Sequence, residues 1–206
     1  MVTPVPPLDL YHITPMENLG AILESGGLRS DAALGNTTHS VIGYAHIKLR
    51  RLAEYRVDCC GGRFVGEFVP FYFCPRSPML YTINKGSTGK APGCQKEIVH
   101  LVTTLANARG LGRKWAISDG NAGAEHTTFS DDIDNLKALN WTAIRATQWQ
   151  GLTHEKSAEF LVADFFEWSA IVAIGCHNDT VKRQVEVLLA KYPHRPQVKV
   201  QPSWYY

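Results

Sequence analysis

Glu159 and His12 stand near opposite ends of a 206-residue sequence, and each interrupts an apolar, strand-like run. Glu159 lies in Ala158-Glu159-Phe160-Leu161-Val162, and His12 follows Leu8 and Leu10 and precedes Ile13-Thr14. Burying an ionised carboxylate costs several kcal/mol unless a partner compensates. Stability alone does not account for such a glutamate, so Glu159 reads as a site residue. A carboxylate accepts hydrogen bonds and offsets positive charge, while a neutral imidazole donates through one nitrogen and accepts through the other. A third concentration of charge is basic: Lys48, Arg50, Arg51, Arg56 and Arg63 share one stretch with only Glu54 and Asp58 against them. Such a run is either a solvated helix face or a surface for anionic partners.

Composition sets the frame for these groups. A chain of this length with 45% hydrophobic residues fits one domain over residues 1–206 with a sizeable core. The first residues lack a charged leader and an apolar targeting segment, and no run approaches a membrane span, so the cytoplasm is the default expectation. Five cysteines, an odd number without a CxxC pair, suggest neither a disulfide framework nor structural zinc. The net charge of +2 does not by itself demand a nucleic-acid partner.

The elements that position the site follow from pattern. After the first strand, Thr14-Pro15-Met16-Glu17 supplies an N-cap threonine, a proline at N1 and a capping-box glutamate. The helix that follows buries Leu19, Ile22 and Leu23 and stops at Gly26-Gly27. Residues 29–40 read as a structureless loop, and Val41 to Val57 as a second helix with Ala45, Leu49 and Leu52 on its apolar side and His46 and Arg50 sharing another face. Glu67 to Phe73 is aromatic and β-branched, but Pro70 confines it to an edge or interrupted strand. Further strands are expected over Glu97–Leu105, Trp115–Ser118, Ile171–Cys176 and Val198–Val200, a loop over 119–129, a helix capped by Ser130-Asp131-Asp132, and an amphipathic helix from Asp179. Irregular mixing of short strands and helices argues an α+β fold. The absence of GxGxxG and Walker sequences leaves a Rossmann site and a P-loop unsupported.

Five segments together resemble one family in the same order: Tyr11-His12-Ile13-Thr14, Glu24 to Leu28, Gly43 to Arg51, Pro70 to Tyr81, and Ala158 to Val162. The chain resembles DarT, the DNA ADP-ribosyltransferase toxins of DarTG toxin–antitoxin systems, over roughly residues 8 to 176. That resemblance implies an ADP-ribosyltransferase fold, a split mixed β-sheet core with flanking helices, whose cleft holds NAD⁺. It also implies transfer of ADP-ribose to thymidine in single-stranded DNA, a macrodomain antitoxin of the DarG type as partner, and no metal.

Under that resemblance the catalytic residues are Glu159, Arg50 and His12. Glu159 would bond the ribose 2′-OH and stabilise oxocarbenium character at C1′, an interaction strongest in the transition state. Arg50 rather than its neighbour Arg51 is favoured beside the weakly acidic thymine N3 proton, because Arg50 shares a helical face with His46. The cofactor-binding set is His12, Thr14, Asn18, Leu28, Tyr44, His46, Arg50 and Tyr72. Which of Phe71, Tyr72 and Phe73 faces the nicotinamide stays open, since neighbouring strand residues face opposite sides. For DNA, Lys48, Arg51, Arg76, Met79, Asn121, Arg145 and Trp149 combine phosphate-binding charge with stacking surfaces. Asn121 stands where the family leads one to expect a histidine; an amide is a poor proton acceptor, so a base role there is in doubt. Two alternatives remain: the same chemistry on guanosine, RNA, a tRNA 2′-phosphate or protein, and a non-catalytic nucleic-acid-binding module.

Overall fold

The structure, a computed structural model, describes residues 7–35, 40 and 44–206. Its strands are β1 (Asp9–Pro15), β2 (Gly27–Arg29), β3 (Arg56–Val57), β4 (Arg63–Phe64), β5 (Phe68–Tyr72), β6 (Ile98–Thr104), β7 (Trp115–Asn121), β8 (Phe129–Ser130), β9 (Ala158–Ala163), β10 (Phe165–Glu167), β11 (Ala173–Cys176) and β12 (Gln197–Val200). The helices are α1 (Leu19–Glu24), α2 (Asp31–Leu34), α3 (Ala45–Ala53), α4 (Pro78–Asn84), α5 (Leu105–Gly110), α6 (Trp141–Arg145), α7 (Thr153–Lys156) and α8 (Asp179–Leu189).

Eight strands form one sheet in the order β12-β11-β6-β1-β5-β9-β7-β8. The β11–β12 pair is parallel and the other pairs are antiparallel, so the sheet is mixed. Between β1 and β5 the ladder shrinks to a single pairing, Tyr11 with Tyr72. The sheet is therefore split into two halves at that junction, as the family resemblance implies.

Pro70 explains the split, and of the two expectations for its segment, an edge or an interrupted strand, the second holds. β5 is central, not an edge, and it pairs with β9 over its whole length, from Phe68↔Ala163 to Tyr72↔Glu159. On a strand, a residue's N and O point to the same side. The Pro70 carbonyl accepts from His12 Nδ1 at 2.9 Å, which places the proline's missing N–H on the side facing β1. The interruption falls on that side alone, and it opens the sheet beside His12.

The core fills both sheet faces with large side chains. All six residues of β9 are buried, and Phe71 packs on Phe166 with ring centroids 4.6 Å apart. A fully buried phenylalanine of this kind stabilises the fold by about 1.5–3 kcal/mol. At the far edge α8 buries Val181, Val185 and Leu189, its first turn capped by the Asn178 side chain.

Several local expectations change around the cleft. Thr14 does not cap a helix; its hydroxyl accepts from Asn18 Nδ2 at 3.2 Å, and the chain enters α1 through a 3₁₀ turn at Met16–Asn18. Gly26 adopts φ +77°, which ends α1 as expected, and at Gly27 a Cβ would run into the Phe166 carbonyl. The segment after Gly27 is not structureless: β2 pairs with β10, and α2 is capped by Ser30, whose side chain accepts from Ala33 N at 3.2 Å. The helix expected over Val41–Val57 is shorter, with its first three positions outside the described residues and its last positions turned away into β3. Leu49 is 66% exposed, so it is not part of a buried stripe. Residues 75–81 lead into α4, which is started by Ser77 as N-cap and Pro78 at N1. β7 runs on to Asn121, three residues beyond the expected Ser118.

Candidate active site

Glu159 lies on β9 opposite Tyr72, at the split side of the sheet. Its backbone N–H donates to Ser118 Oγ at 2.9 Å, and Ser118 Oγ donates in turn to the Gly120 carbonyl at 2.7 Å. The β7–β9 register shifts between Ile117 and Asn121. That irregularity brings the Ala122 N–H to Glu159 Oε1 at 3.1 Å.

Arg51 supplies the compensating charge. Its Nη1 donates to Oε1 at 3.2 Å and its Nη2 to Oε2 at 2.9 Å, a two-pronged contact between side chains only 14% and 1% exposed. Burial works against the Arg51 charge, but the adjoining carboxylate outweighs it and holds the guanidinium above its ordinary range. A buried pair breaks even only when its remaining lone pairs and protons are satisfied, and the Ala122 amide contributes to that here.

Arg50 points elsewhere. It is 41% exposed, pairs with Glu54 at 2.7 Å and Glu125 at 3.4 Å, and lies over the Tyr55 ring. His46 is exposed and packs against Tyr44, with centroids 5.4 Å apart. The face shared by His46 and Arg50 is thus the outer face of α3, and neither residue lines the cleft. The phase of this helix turns Arg51, and not the preferred Arg50, into the cleft.

The cleft has a volume of about 730 Å³ and opens at the β1–β5 junction. His12, Thr14, Asn18, Leu28, Tyr44 and Tyr72 line it from the expected cofactor set, and Lys48, Arg51, Met79 and Asn121 from the expected DNA set. Arg76, Arg145 and Trp149 lie outside it. Phe71 and Phe73 are buried in the core, so Tyr72 is the ring of that trio facing the cleft.

The polar groups of the lining have defined states. His12 Nδ1 must donate to the Pro70 carbonyl, which leaves Nε2 as an acceptor while the ring is neutral. Burial lowers the His12 pKa and outweighs the opposing effect of that carbonyl, favouring the neutral ring. Burial, and next the Glu159 charge, push the Tyr72 phenol up, so it keeps its proton. Asn18 clips Ser40 in place, donating to its carbonyl and accepting from its N–H, both at 2.9 Å. Lys48 pairs with Asp31 at 3.0 Å. Asn121 Oδ1 accepts from Gly123 N at 2.9 Å, which commits the oxygen to a turn.

Sequence reading missed Ser118, the Ala122 amide and Lys156. Lys156 is buried three positions before Glu159, and its ammonium donates to the carbonyls of Ile144 at 3.0 Å and Ala146 at 2.8 Å. It fastens the end of α6 to the segment leading into β9, which carries the cleft residues Thr153 and Ser157. Burial lowers its pKa. Among the described residues no group of three or more His, Cys, Asp and Glu side chains is placed to hold a metal ion. None of the described helices is long and apolar enough to cross a membrane.

The sequence profile of the family described as DarT, ssDNA thymidine ADP-ribosyltransferase, matches residues 11–206. The chain belongs to the DarT family. A relative from Thermus aquaticus named DNA ADP-ribosyl transferase is 40% identical over 205 residues, covering 98% of this chain and 90% of its own. Among solved structures, the Thermus sp. 2.9 DarT in complex with ADP-ribosylated ssDNA superposes with a TM-score of 0.91 at 35% identity, covering 100% of both chains. The Thermus sp. 2.9 DarT in complex with NAD⁺ gives a TM-score of 0.86 at 32% identity, covering 99% of this chain and 100% of that one.

Proposed function

We propose that Glu159, Arg51 and His12 carry the transfer of ADP-ribose from NAD⁺ to a thymidine base in single-stranded DNA, Arg51 taking the role that sequence reading gave to Arg50. As a DarT family member the protein is an NAD⁺-dependent DNA ADP-ribosyltransferase. The observation that carries the residue roles is the Arg51–Glu159 contact at the split of the sheet, in register with the cleft-facing Tyr72.

The cleft suits a dinucleotide. Its volume lies in the range of small-molecule sites, and it offers the aromatic rings Tyr72 and Tyr44 together with polar groups on His12, Thr14 and Asn18. When bound there, NAD⁺ supplies the ADP-ribose and a nicotinamide leaving group.

Each residue then has a definable task. An ionised carboxylate has about four lone-pair positions. Arg51 and the Ala122 amide make three contacts to Glu159, which leaves one position to accept from a ribose hydroxyl beside the developing positive charge. His12 Nε2 accepts from a second hydroxyl, and the Thr14 hydroxyl, already accepting from Asn18, donates outward. Tyr72 stacks against the nicotinamide ring. Thymine N3 bonds to the ribose C1′ as the nicotinamide bond breaks, and the N3 proton passes to solvent water; Arg51, charged at any physiological pH, stabilises the negative charge that builds on the base as that proton leaves. Lys48, Met79 and Asn121 also line the cleft, and this reading assigns them to the DNA strand.

The same reading extends to the whole chain: one ADP-ribosyltransferase domain over residues 1–206, a cytoplasmic toxin, and a DarG-like macrodomain antitoxin that removes the mark. The decisive experiment combines purified protein, NAD⁺ and single-stranded oligonucleotides, read by intact-mass spectrometry. A thymidine-containing strand gains one ADP-ribose, an all-cytidine strand gains none, and Glu159→Ala abolishes the gain. Equal labelling of the all-cytidine strand would overturn the thymidine assignment.

A further inference from the structure

Ser118 is fully buried in β7, directly after the apolar run Trp115-Ala116-Ile117, and it does not line the cleft. A buried hydroxyl needs hydrogen-bond partners, and those of Ser118 lie at the residue on which transfer depends. Its oxygen accepts the Glu159 N–H at 2.9 Å. Its single proton goes to the Gly120 carbonyl at 2.7 Å rather than to the Glu159 carbonyl, which is 3.4 Å away.

These contacts fall where the β7–β9 ladder is broken. Ile117 pairs with Phe160 and Asn121 with Ala158, so Ser118, Asp119 and Gly120 stand opposite Glu159 alone. In an unbroken antiparallel ladder a backbone carbonyl of β7 would take the Glu159 N–H. The Ser118 side chain takes it instead, and the extra length of β7 carries the Ala122 N–H round to Glu159 Oε1 at 3.1 Å. Two further features shape the bulge. A Cβ at Gly120 would run into the His154 ring, and the Asp119 carboxylate accepts from both the N–H and the hydroxyl of Thr128. Those two hold the bulge from outside, whereas Ser118 joins it to the main chain of Glu159.

We infer that Ser118 is a positioning residue for ADP-ribose transfer. Its hydroxyl stands in for the missing ladder partner and fixes the bulge at the separation that lets the Ala122 N–H and the Arg51 fork occupy three acceptor positions of Glu159, leaving the fourth for the ribose. Without the hydroxyl, the Glu159 N–H and the Gly120 carbonyl are both buried without a partner. The bulge relieves this by shifting, and the shift carries the Ala122 N–H away and lets the carboxylate turn in the Arg51 fork. Glu159 acts mainly in the transition state, so its misplacement slows the chemical step. NAD⁺ is held in the proposed function by His12, Thr14, Asn18 and Tyr72, on other elements, so its affinity is spared. The inference rests on the reading of Glu159 as catalytic and deepens it.

The test measures kcat for transfer at saturating single-stranded DNA, the NAD⁺ dissociation constant and the melting temperature for Ser118→Ala, Ser118→Thr, Glu159→Ala and a control, Val185→Ala, in the buried face of α8. Ser118→Ala is expected to lower kcat at least about tenfold, since displacement of a catalytic group by about an ångström costs up to about a hundredfold. Its NAD⁺ affinity stays within about twofold of wild type, the split expected when only a transition-state interaction is lost. Ser118→Thr keeps the hydroxyl and recovers most of the rate. Val185→Ala lowers the melting temperature without the loss of kcat. If Ser118→Ala does not fold, Ser118→Cys takes its place, because a thiol fills the space but is a weak donor and acceptor. The inference is overturned by a kcat within about threefold of wild type in the Ala variant (or in the Cys variant that replaces it), by an equal loss in NAD⁺ affinity, by the same loss of kcat in Val185→Ala, or by a Thr variant that melts like wild type yet is as slow as Ala. Undiminished transfer by Glu159→Ala would remove the catalytic reading of Glu159 itself, and the role of Ser118 with it.

Discussion

Arg51 of α3 and Glu159 of β9 are 108 residues apart in sequence and joined by two hydrogen bonds, at 3.2 and 2.9 Å. Because Glu159 is almost fully buried, removing Arg51 strands a charge in the interior, at a cost of about 3–5 kcal/mol. Arg51→Ala is expected to lower stability by that order and transfer by at least about a hundredfold, which at about 1.36 kcal/mol per tenfold is about 2.7 kcal/mol of lost transition-state stabilisation. Arg51→Lys keeps charge without the fork and remains impaired. Arg50→Ala, by contrast, loses exposed contacts to Glu54 and Glu125 and shifts the melting temperature little. Urea denaturation and single-turnover transfer on the three variants check the ordering; a larger transfer loss in Arg50→Ala would restore the original assignment.

Acid sensitivity follows from two imidazoles, the fully buried His100 and the half-buried His12. Burial lowers the pKa of His12 and takes that of His100 to about 4. His100 is fully enclosed, between the Pro75 carbonyl and the Tyr205 hydroxyl. For a base with a depressed folded-state pKa, the unfolded chain binds the proton first as pH falls below about 6.5. Stability is therefore complete above that value and declines with acidification until pH reaches the folded-state pKa. For His100 the window runs from about 6.5 to about 4 and the full loss is about 3 kcal/mol. Urea midpoints at pH 7.5, 6 and 5 should fall in that order, with a shallower decline in His100→Gln. A flat profile in the wild type would show that neither imidazole resists protonation.

Lys156 tests how the segment before β9 is held. Its ammonium satisfies the Ile144 and Ala146 carbonyls, and hydrogen bonds to charged groups contribute about 1.5–3 kcal/mol each. Lys156→Met retains the length of the side chain but leaves both carbonyls without this donor. A stability loss of about 2–4 kcal/mol is expected, together with a raised KM for DNA, because Thr153 and Ser157 flank the lysine and line the cleft. Unchanged stability would show that water or the backbone replaces the ammonium.

What could be read from residues, and what could not, divides along physical lines. Glu159 and His12 stood out because a polar group in an apolar strand is anomalous wherever the strand lies. The central place of β5 was hidden, since Pro70 argues for an edge unless one knows that the sheet splits beside it. Arg50 and Arg51 differ only by a helix rotation, and that phase is set by packing of Leu52 against Gly66, a contact between segments. Leu49 looked buried and is not, for the same reason. Lys156 gave no local sign because its partners are backbone carbonyls in another helix.

Asn121 offers the sharpest test of base recognition. Its side-chain oxygen is committed to the Gly123 N–H, so the amide nitrogen is the group left to address the cleft. Thymine presents carbonyl acceptors on either side of N3, whereas cytosine places an amino donor at C4. A donor at Asn121 suits the first base and opposes the second. Asn121→Asp keeps the oxygen that closes the turn but replaces the donor by an acceptor. It should melt near the wild-type temperature, lose at least about tenfold in thymidine transfer, and tolerate NAD⁺ as before, a loss of one hydrogen bond near a charged group. Asn121→Ala loses the turn contact as well and should be less stable than Asn121→Asp. If the Asp variant transfers to thymidine as fast as wild type, the amide nitrogen does not contact the base, and discrimination must come from Arg51 and the shape of the cleft.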